Sequence, residues 1–572
     1  MNYFNFSFLQ RTQNALNALV TFLLITILFL LSSTVIGQSL QVGIPVIEEY
    51  VRRNQLLGNV NQDFSFNIRP LDVKLLNDEY FWKNTNDLLK NDTTIHSSKK
   101  IHFNLSFLPL FSKNQIHSGS PYPEVSQLIN SKGFQTYLTG GVFGEIGPLS
   151  FQIQPEAIFA QNSVYDYGVS KSIYTEYLEQ FGEGGYFRVL PGQSNIKLNF
   201  GSFSIGASTE NIWWGPGQFN SLLFSNNAFG FEHLTFNTRR PAKTFLGSFE
   251  GQLLVGRLEG SNLSTTNVNN LLNDWRYLNG ITINYQPKWT PGLFIGASRV
   301  FQQYESFRGK SFRDYFPIFE FFQKERLYQN GGSSQEFNQE GRDQQLTGFV
   351  RYFNRKANAE LYFEYGRRDH SLNWREAILN PEHARAYLFG FTKLFQVSGE
   401  ANVQIRGEVL QQQESINIII RYPGIGGGSN WAGHSPVTHG FTHRGQMLGP
   451  GVGPSSNVQT MEVAWVQGFK KLGIRLERLN RHQDIYQKRF PDPSEQGRWV
   501  DLSARLLADW QWNNLIVSSN LNFVNSLNYQ WQLHPNSTPE FPRGQNLFSV
   551  HSQVSLIYFP KGLKRWQKNL SN

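Results

Sequence analysis

From residue 101 onward the hydrophobic pattern repeats every two residues, and the breaks in it alternate between short and long. A period of two puts successive side chains on opposite faces of a strand. Ile196, Leu198 and Phe200 alternate with Lys197 and Asn199. Gly201-Ser202 then forms a two-residue turn of the Gly-X type, and Phe203, Ile205 and Ala207 resume opposite Ser204 and Gly206. A second hairpin runs from Phe349–Phe353 through a turn at Asn354–Ala357. It continues into Ala359, Leu361, Phe363 and Tyr365, set against Glu360, Tyr362 and Glu364. A third strand sets Val517, Ser519, Leu521 and Phe523 against Ser518, Asn520 and Asn522.

Short turns are expected at Gly147-Pro148, Gly201-Ser202, Arg239–Lys243, Gln286–Gly292, Asn354–Ala357, Gln396–Glu400, Lys470–Gly473 and Asn513-Asn514. Between them lie long polar or glycine-rich stretches near 112–133, 161–192, 214–230, 259–276, 305–343, 369–384, 415–458, 482–500 and 526–546. Short periplasmic turns alternating with long external loops is the order of bacterial outer-membrane barrels. The fold class expected is therefore all-β: a closed antiparallel transmembrane β-barrel of about 18 strands with both termini periplasmic. It runs from Ile101–Phe111 to Phe548–Tyr558, within a barrel domain at 101–559 and ahead of a periplasmic tail at 560–572. A soluble sandwich would show the same alternation with its apolar face inward. The aromatic content of 15% and the N-terminal segment favour lipid.

That segment reads as a signal peptide at 1–37. Arg11 precedes the apolar run Leu19–Leu31, and Val35 and Gly37 suit the −3 and −1 sites. An uncleaved anchor is the competing reading, because the run is long. After residue 37 there is no apolar run of the ~20 residues that a membrane helix needs. Residues 38–100 do not alternate. Ile47, Tyr50, Val51 and Leu57 share a helical face and Gly58 can end it, with a second short helix expected within Leu75–Leu89. This is a small N-terminal periplasmic helical or plug segment. The chain has no cysteine, which excludes disulfides, a thiolate metal site and lipoprotein acylation. Its charge of +9, or +8 once Arg11 is removed with the signal peptide, suits anionic lipid headgroups or acidic glycans. The basic residues are scattered, so nucleic acid is not an expected partner.

Two blocks in the long loops could carry chemistry. Asn211, Trp213 and Trp214 with Asn220, Asn226 and Asn227 could stack on sugar rings and bond their hydroxyls. The same residues also suit an interfacial aromatic belt with a loop tucked into the lumen. The second block holds Trp431, His434, His439, His443 and Arg444, followed by a glycine-rich tail at Leu448–Asn457. Three histidines at spacings of five and four invite a metal reading. No acid lies in the block, and the expectation is hydrogen-bonding loop residues with no metal and no cofactor. The tail lacks the Lys-Ser/Thr of a phosphate loop. There is no G-x-S-x-G, and Glu360 with Glu364 reads as lumen polarity, so no catalytic residue is assigned.

Asn211-Ile212-Trp213-Trp214-Gly215-Pro216-Gly217 with Ser225-Asn226-Asn227, and His439-Gly440-Phe441-Thr442-His443-Arg444-Gly445-Gln446 with Leu448-Gly449, resemble the capsule assembly Wzi family in its Bacteroidetes-type branch. Phe66–Pro70, Gln154–Glu156 and Phe249–Leu253 support the resemblance, which spans most of the mature chain. It implies an outer-membrane barrel of about 18 strands with periplasmic helices. It also implies a lectin-like, non-enzymatic role in holding or assembling capsular polysaccharide or exopolysaccharide at the cell surface. Outer-membrane lipids and the capsule export machinery are the other partners considered. A porin or export channel is the alternative, and an outer-membrane lipid- or glycan-modifying hydrolase a second.

Overall fold

The computed structural model describes residues 39–60, 64–72, 103–165, 175–263, 271–320, 322, 341–368, 373–379, 381–382, 384–413, 431–490 and 496–560. The signal peptide and the second helix at Leu75–Leu89 lie outside the described residues, as does all of the C-terminal tail but Pro560. The wall is one antiparallel ladder. From Phe203–Ser208 to Leu547–Tyr558 each long strand pairs with the next, and Leu547–Tyr558 pairs with Leu110–His117 to close the barrel. The expected first strand at Ile101–Phe111 is found as Phe103–Phe107 and Leu110–His117, interrupted at Leu108-Pro109.

Three following strands are interrupted at the same height. The breaks fall between Gly133–Thr139 and Val142–Ile146, between Leu149–Ile153 and Glu156–Ala160, and between Tyr186–Leu190 and Asn195–Phe200. Proline cannot donate to a ladder and glycine lets backbones close in, so Pro109, Gly140-Gly141, Pro155 and Pro191-Gly192 bend the wall along one line. A Cβ on Gly141 would lie 1.9 Å from the Ile153 carbonyl oxygen, so that approach requires glycine.

The alternation resolves into an apolar outside and a polar inside. Leu361 and Phe363 are 54% and 41% exposed, while Glu360, Tyr362 and Glu364, which alternate with them, are 2%, 1% and 0% exposed. Ile205, Leu234, Ile283, Ile295, Ile474, Leu506 and Leu556 are likewise outward and exposed on other strands. Leaving a large apolar side chain in water forgoes about 1.5–3 kcal/mol. A wall covered with them is suited to hydrocarbon. The short turns fall where the pattern puts them, with two exceptions. In the turn expected at Arg239–Lys243, Ala242-Lys243 is strand paired with Ser248-Phe249, and the chain reverses at Thr244–Gly247. The turn expected at Lys470–Gly473 is Gly468-Phe469, and Lys470–Asn480 is already strand. Gly468 takes the left-handed conformation at φ 56°, and Phe469 stacks on Tyr50 with ring centroids 4.0 Å apart.

Ahead of the wall, the described residues 39–60 and 64–72 lie within it. The helix Pro45–Leu57 starts with proline in its first turn and ends on Gly58, at φ 85°. Val46, Ile47, Tyr50, Val51 and Leu56 are buried, and so are Glu49, Arg52, Arg53, Asn54 and Gln55 on the other sides. A helix can be polar on several faces and still buried only where the surroundings are polar, and the barrel lumen supplies that.

Candidate functional site

The helix is held at the short-turn end of the lumen by ion pairs. Arg52 meets Glu360 at 2.8 Å, and Arg351 meets the same carboxylate at 2.8 Å. Glu49 pairs with Arg406 at 2.9 Å and Lys471 at 2.8 Å. Glu462 takes Arg406, Lys471 and Arg475 at 2.6, 3.2 and 2.9 Å. Burial pushes the Glu49 carboxyl up, but Arg406 and Lys471 outweigh it and hold the group below the usual carboxylate range. Breaking a buried pair by removing one partner costs about 3–5 kcal/mol, because the other charge is left behind.

Above the helix sits the tryptophan block. Its turn wraps the Glu408 carboxylate, which accepts the amides of Gln218, Phe219 and Asn220 at 2.8, 3.2 and 2.7 Å. Tyr362 adds its hydroxyl at 2.9 Å. The Phe219 ring lies beneath both the Arg406 and Arg475 guanidiniums, at 4.7 and 4.5 Å. Trp214 is fully buried, donates Nε1–H to Gln252 Oε1 at 2.8 Å and meets the Phe224 ring edge-on. Trp213 lies under the Arg69 guanidinium at 4.1 Å, and Trp213-Trp214 pairs with Ile68-Arg69 as a short ladder. Asn211 donates to the Ala228 carbonyl at 2.7 Å and Asn227 to that of Met447 at 2.9 Å.

The histidine block packs onto the tryptophan block. Trp431 is fully buried and donates Nε1–H to the Leu222 carbonyl at 2.9 Å. His439 Nδ1 is 2.6 Å from the Tyr304 hydroxyl, His443 Nδ1 accepts the Glu259 amide at 3.1 Å, and His434 Nδ1 accepts that of Val437 at 3.3 Å. Arg444 meets Glu259 at 2.6 Å. Burial, with the Arg276 charge added, pushes His439 down to about 3, and burial likewise keeps His443 well below its ordinary range. Each ring has its own partner. Among the described residues no group of three or more acids and histidines could hold a metal ion.

Most of the expected ligand residues are enclosed within the protein. Asn211, Trp214, Asn227, Trp431, His439 and His443 are buried, with polar atoms engaged inside the protein, so the two blocks are packing elements filling the lumen. Loop sequences carry no period that would separate an inward aromatic from an outward one. Trp213, Asn220 and Asn226 differ in lining a cavity of about 120 Å³, shared with Glu48, Arg69 and Gln127.

Two outer regions escaped the sequence reading. In the first, residues 481–490, 496–499 and 528–546 form a rim on an aromatic cluster, with Trp499 edge-on to Tyr529 and Trp531 at 5.4 and 5.9 Å. Arg489, Arg498, Phe541 and Arg543 are exposed around it. The second is the segment from Glu305 to Glu320 with Phe322, where Phe307, Phe312, Phe319 and Phe322 are exposed. Aromatic density in both loops was the available signal.

The described residues form an antiparallel barrel with its apolar face outward and with the helix Pro45–Leu57 and two loop blocks inside it. The chain belongs to the capsule assembly protein Wzi family, whose model matches residues 119–530. No curated protein matches the chain in sequence. Among solved structures it is similar to Escherichia coli Wzi, an outer membrane protein involved in group 1 capsule assembly and described as a carbohydrate-binding β-barrel. That likeness has 12% identity and a TM-score of 0.58, covering 91% of this chain and 99% of the other. Acinetobacter baumannii OccAB2 aligns over 80% of this chain and 97% of its own, with 10% identity and a TM-score of 0.39. Pseudomonas aeruginosa OccK7 aligns over 79% and 99%, with 9% identity and a TM-score of 0.36.

Proposed function

We propose that the protein is an outer-membrane barrel of about 18 strands, each interrupted strand counting once, with long loops at the cell surface. It is exported by the signal peptide at 1–37 and plugged from the periplasmic side by residues 38–100. It binds capsular polysaccharide or exopolysaccharide and assists capsule assembly as a lectin-like, non-catalytic anchor, working beside the export machinery. The observation that carries this reading is the wall itself, apolar outward and charged inward around a filled lumen, in a member of the Wzi family.

The glycan surface we favour is the outer rim. Exposed Arg489, Arg498 and Arg543 stand on a rigid Trp499–Tyr529–Trp531 cluster beside exposed Phe541. Guanidinium groups and aromatic faces together suit an acidic polysaccharide. Trp213, Asn220 and Asn226 are a second, interior set reachable through the cavity they line. The test is binding of the host's surface polysaccharide by the detergent-folded protein. Wild type binds, more weakly at high salt, and Arg489→Ala/Arg498→Ala/Arg543→Ala loses most of the binding while the barrel stays folded. Binding unchanged in that variant but lost in Asn220→Ala/Asn226→Ala would move the site into the lumen.

A further inference from the structure

Past the strand Leu293–Tyr304 the chain turns back across the outside of the wall. Arg299 faces outward on that strand, in line with the exposed Ile295. It donates to the carbonyls of Ile318 and Glu320 at 2.9 and 2.5 Å and lies over the Phe322 ring at 4.4 Å. On the preceding strand, Arg276–Pro287, the outward Tyr277 hydroxyl donates to the Tyr315 carbonyl at 2.6 Å, and Arg308 sits against both tyrosine rings. Within the flap, Arg342 ties Asp314 to Glu320, and Asp314 closes a capping box with Ser311. The short helix Trp374–Leu379 is tied to the outside in the same way. Arg367 donates to the Ala377 carbonyl at 3.2 Å, and Tyr365 donates to that of Pro381 at 2.5 Å.

The flap therefore repeats the inversion of the wall. Arg308, Asp314 and Glu320 are turned into the flap, Lys310 and Arg375 stay exposed, and Phe312, Phe319, Trp374 and Ile378 point away, each more than 60% exposed. An outward arginine on a lipid-facing wall is costly, and here it is capped by carbonyls under a layer of aromatic rings. The exposed face continues the apolar wall of Ile283, Ile295 and Leu361 toward the outer end of the strands. Tyr277, at the flap's edge, also borders an open groove of about 670 Å³ lined by Ile153, Ile196, Leu234 and Val255, a shape suited to an acyl chain. Aromatics with arginine at their polar side are the composition of a membrane interface.

Resting on the outer-membrane reading above, we infer that the flap from Glu305 to Phe322 and the helix Trp374–Leu379 form a shelf in the outer leaflet. Their aromatic and aliphatic face packs against lipid acyl chains just below the headgroups.

The chain has no cysteine, so single-cysteine labelling is unambiguous. Phe312→Cys, Phe319→Cys and Trp374→Cys are labelled with a polarity-sensitive fluorophore in the full-length protein, reconstituted into phosphatidylcholine vesicles. Leu361→Cys serves as the wall reference and Phe541→Cys as the water reference. The shelf predicts blue-shifted emission at the first three sites, most of it lost to a shallow lipid-borne nitroxide and little to aqueous iodide. Iodide quenching as strong as at Phe541→Cys overturns it, and so does shielding from both quenchers, which marks a protein partner. If the label at Leu361→Cys is itself untouched by lipid nitroxide, the barrel reading fails along with the shelf.

Discussion

The two elements that fill the lumen are held by opposite physics. At the short-turn end, the helix Pro45–Leu57 is fixed by buried charge, with Arg52 reaching Glu360, Glu49 reaching Arg406 and Lys471, and Arg53 donating to Gln404. At the long-loop end, the blocks at 211–231 and 431–452 are fixed by apolar packing, with Trp214, Leu222, Phe224, Trp431 and Phe441 in one cluster. A charge lock gains little over a hydrophobic one in stability but demands one register, because a displaced partner leaves an unpaired ion. An apolar cluster tolerates repacking. The helix end is therefore positioned and the loop end filled, and each fails in its own way.

The largest separation between the two ends comes from Glu360→Gln. It leaves Arg52 and Arg351 together without their carboxylate, a loss of about 3–5 kcal/mol. Hydrogen exchange should rise across 45–57 while the loop blocks stay protected, and equal exchange in both would show the two ends to be one unit. Trp431→Phe strikes the other end more gently. It keeps most of the ring volume but forfeits the bond to the Leu222 carbonyl, about 1 kcal/mol. Denaturant unfolding should register that, with no change in protection of the helix.

The smallest effect separates the ends by pH. His439 is neutral in the folded protein, with its pKa pushed down to about 3 from 6.5. Between those values the unfolded chain binds more protons, so this contribution is full above pH 6.5 and is lost as pH falls toward 3. Glu49 is shifted down from 4.5, so its contribution is full above pH 4.5 and is lost only on further acidification. From pH 7 to 5 the amides of 439–447 should lose protection and those of 45–57 should keep it, by hydrogen exchange of the folded protein. Loss at the helix first would reverse the assignment.

The wall was legible because a strand's period of two reports which side each residue faces, and Glu360, Leu361, Tyr362 and Phe363 fell as their order requires. The helix was legible from its apolar face and Gly58. The misplaced turn at Gly468-Phe469 shows the limit, since Phe469 continues the apolar run while serving as a turn residue that packs inward on Tyr50. The charge lock was not legible, because its partners are far apart in the chain, as Glu49 and Arg406 are at a separation of 357 residues. Nor was the burial of Trp214 and Trp431, since a loop has no repeat to set inside from outside. The flap was hidden for the same reason: its aromatics read as part of a polar loop until Arg299 showed which side they cover.

On the proposed function, these two fillings block the lumen, and the barrel anchors polysaccharide without conducting. Planar-bilayer recording of the purified full-length protein tests it most directly. Wild type should pass no steady current, and current should appear once Arg52→Ala/Arg53→Ala releases the helix. Steady current through the wild-type protein would contradict it.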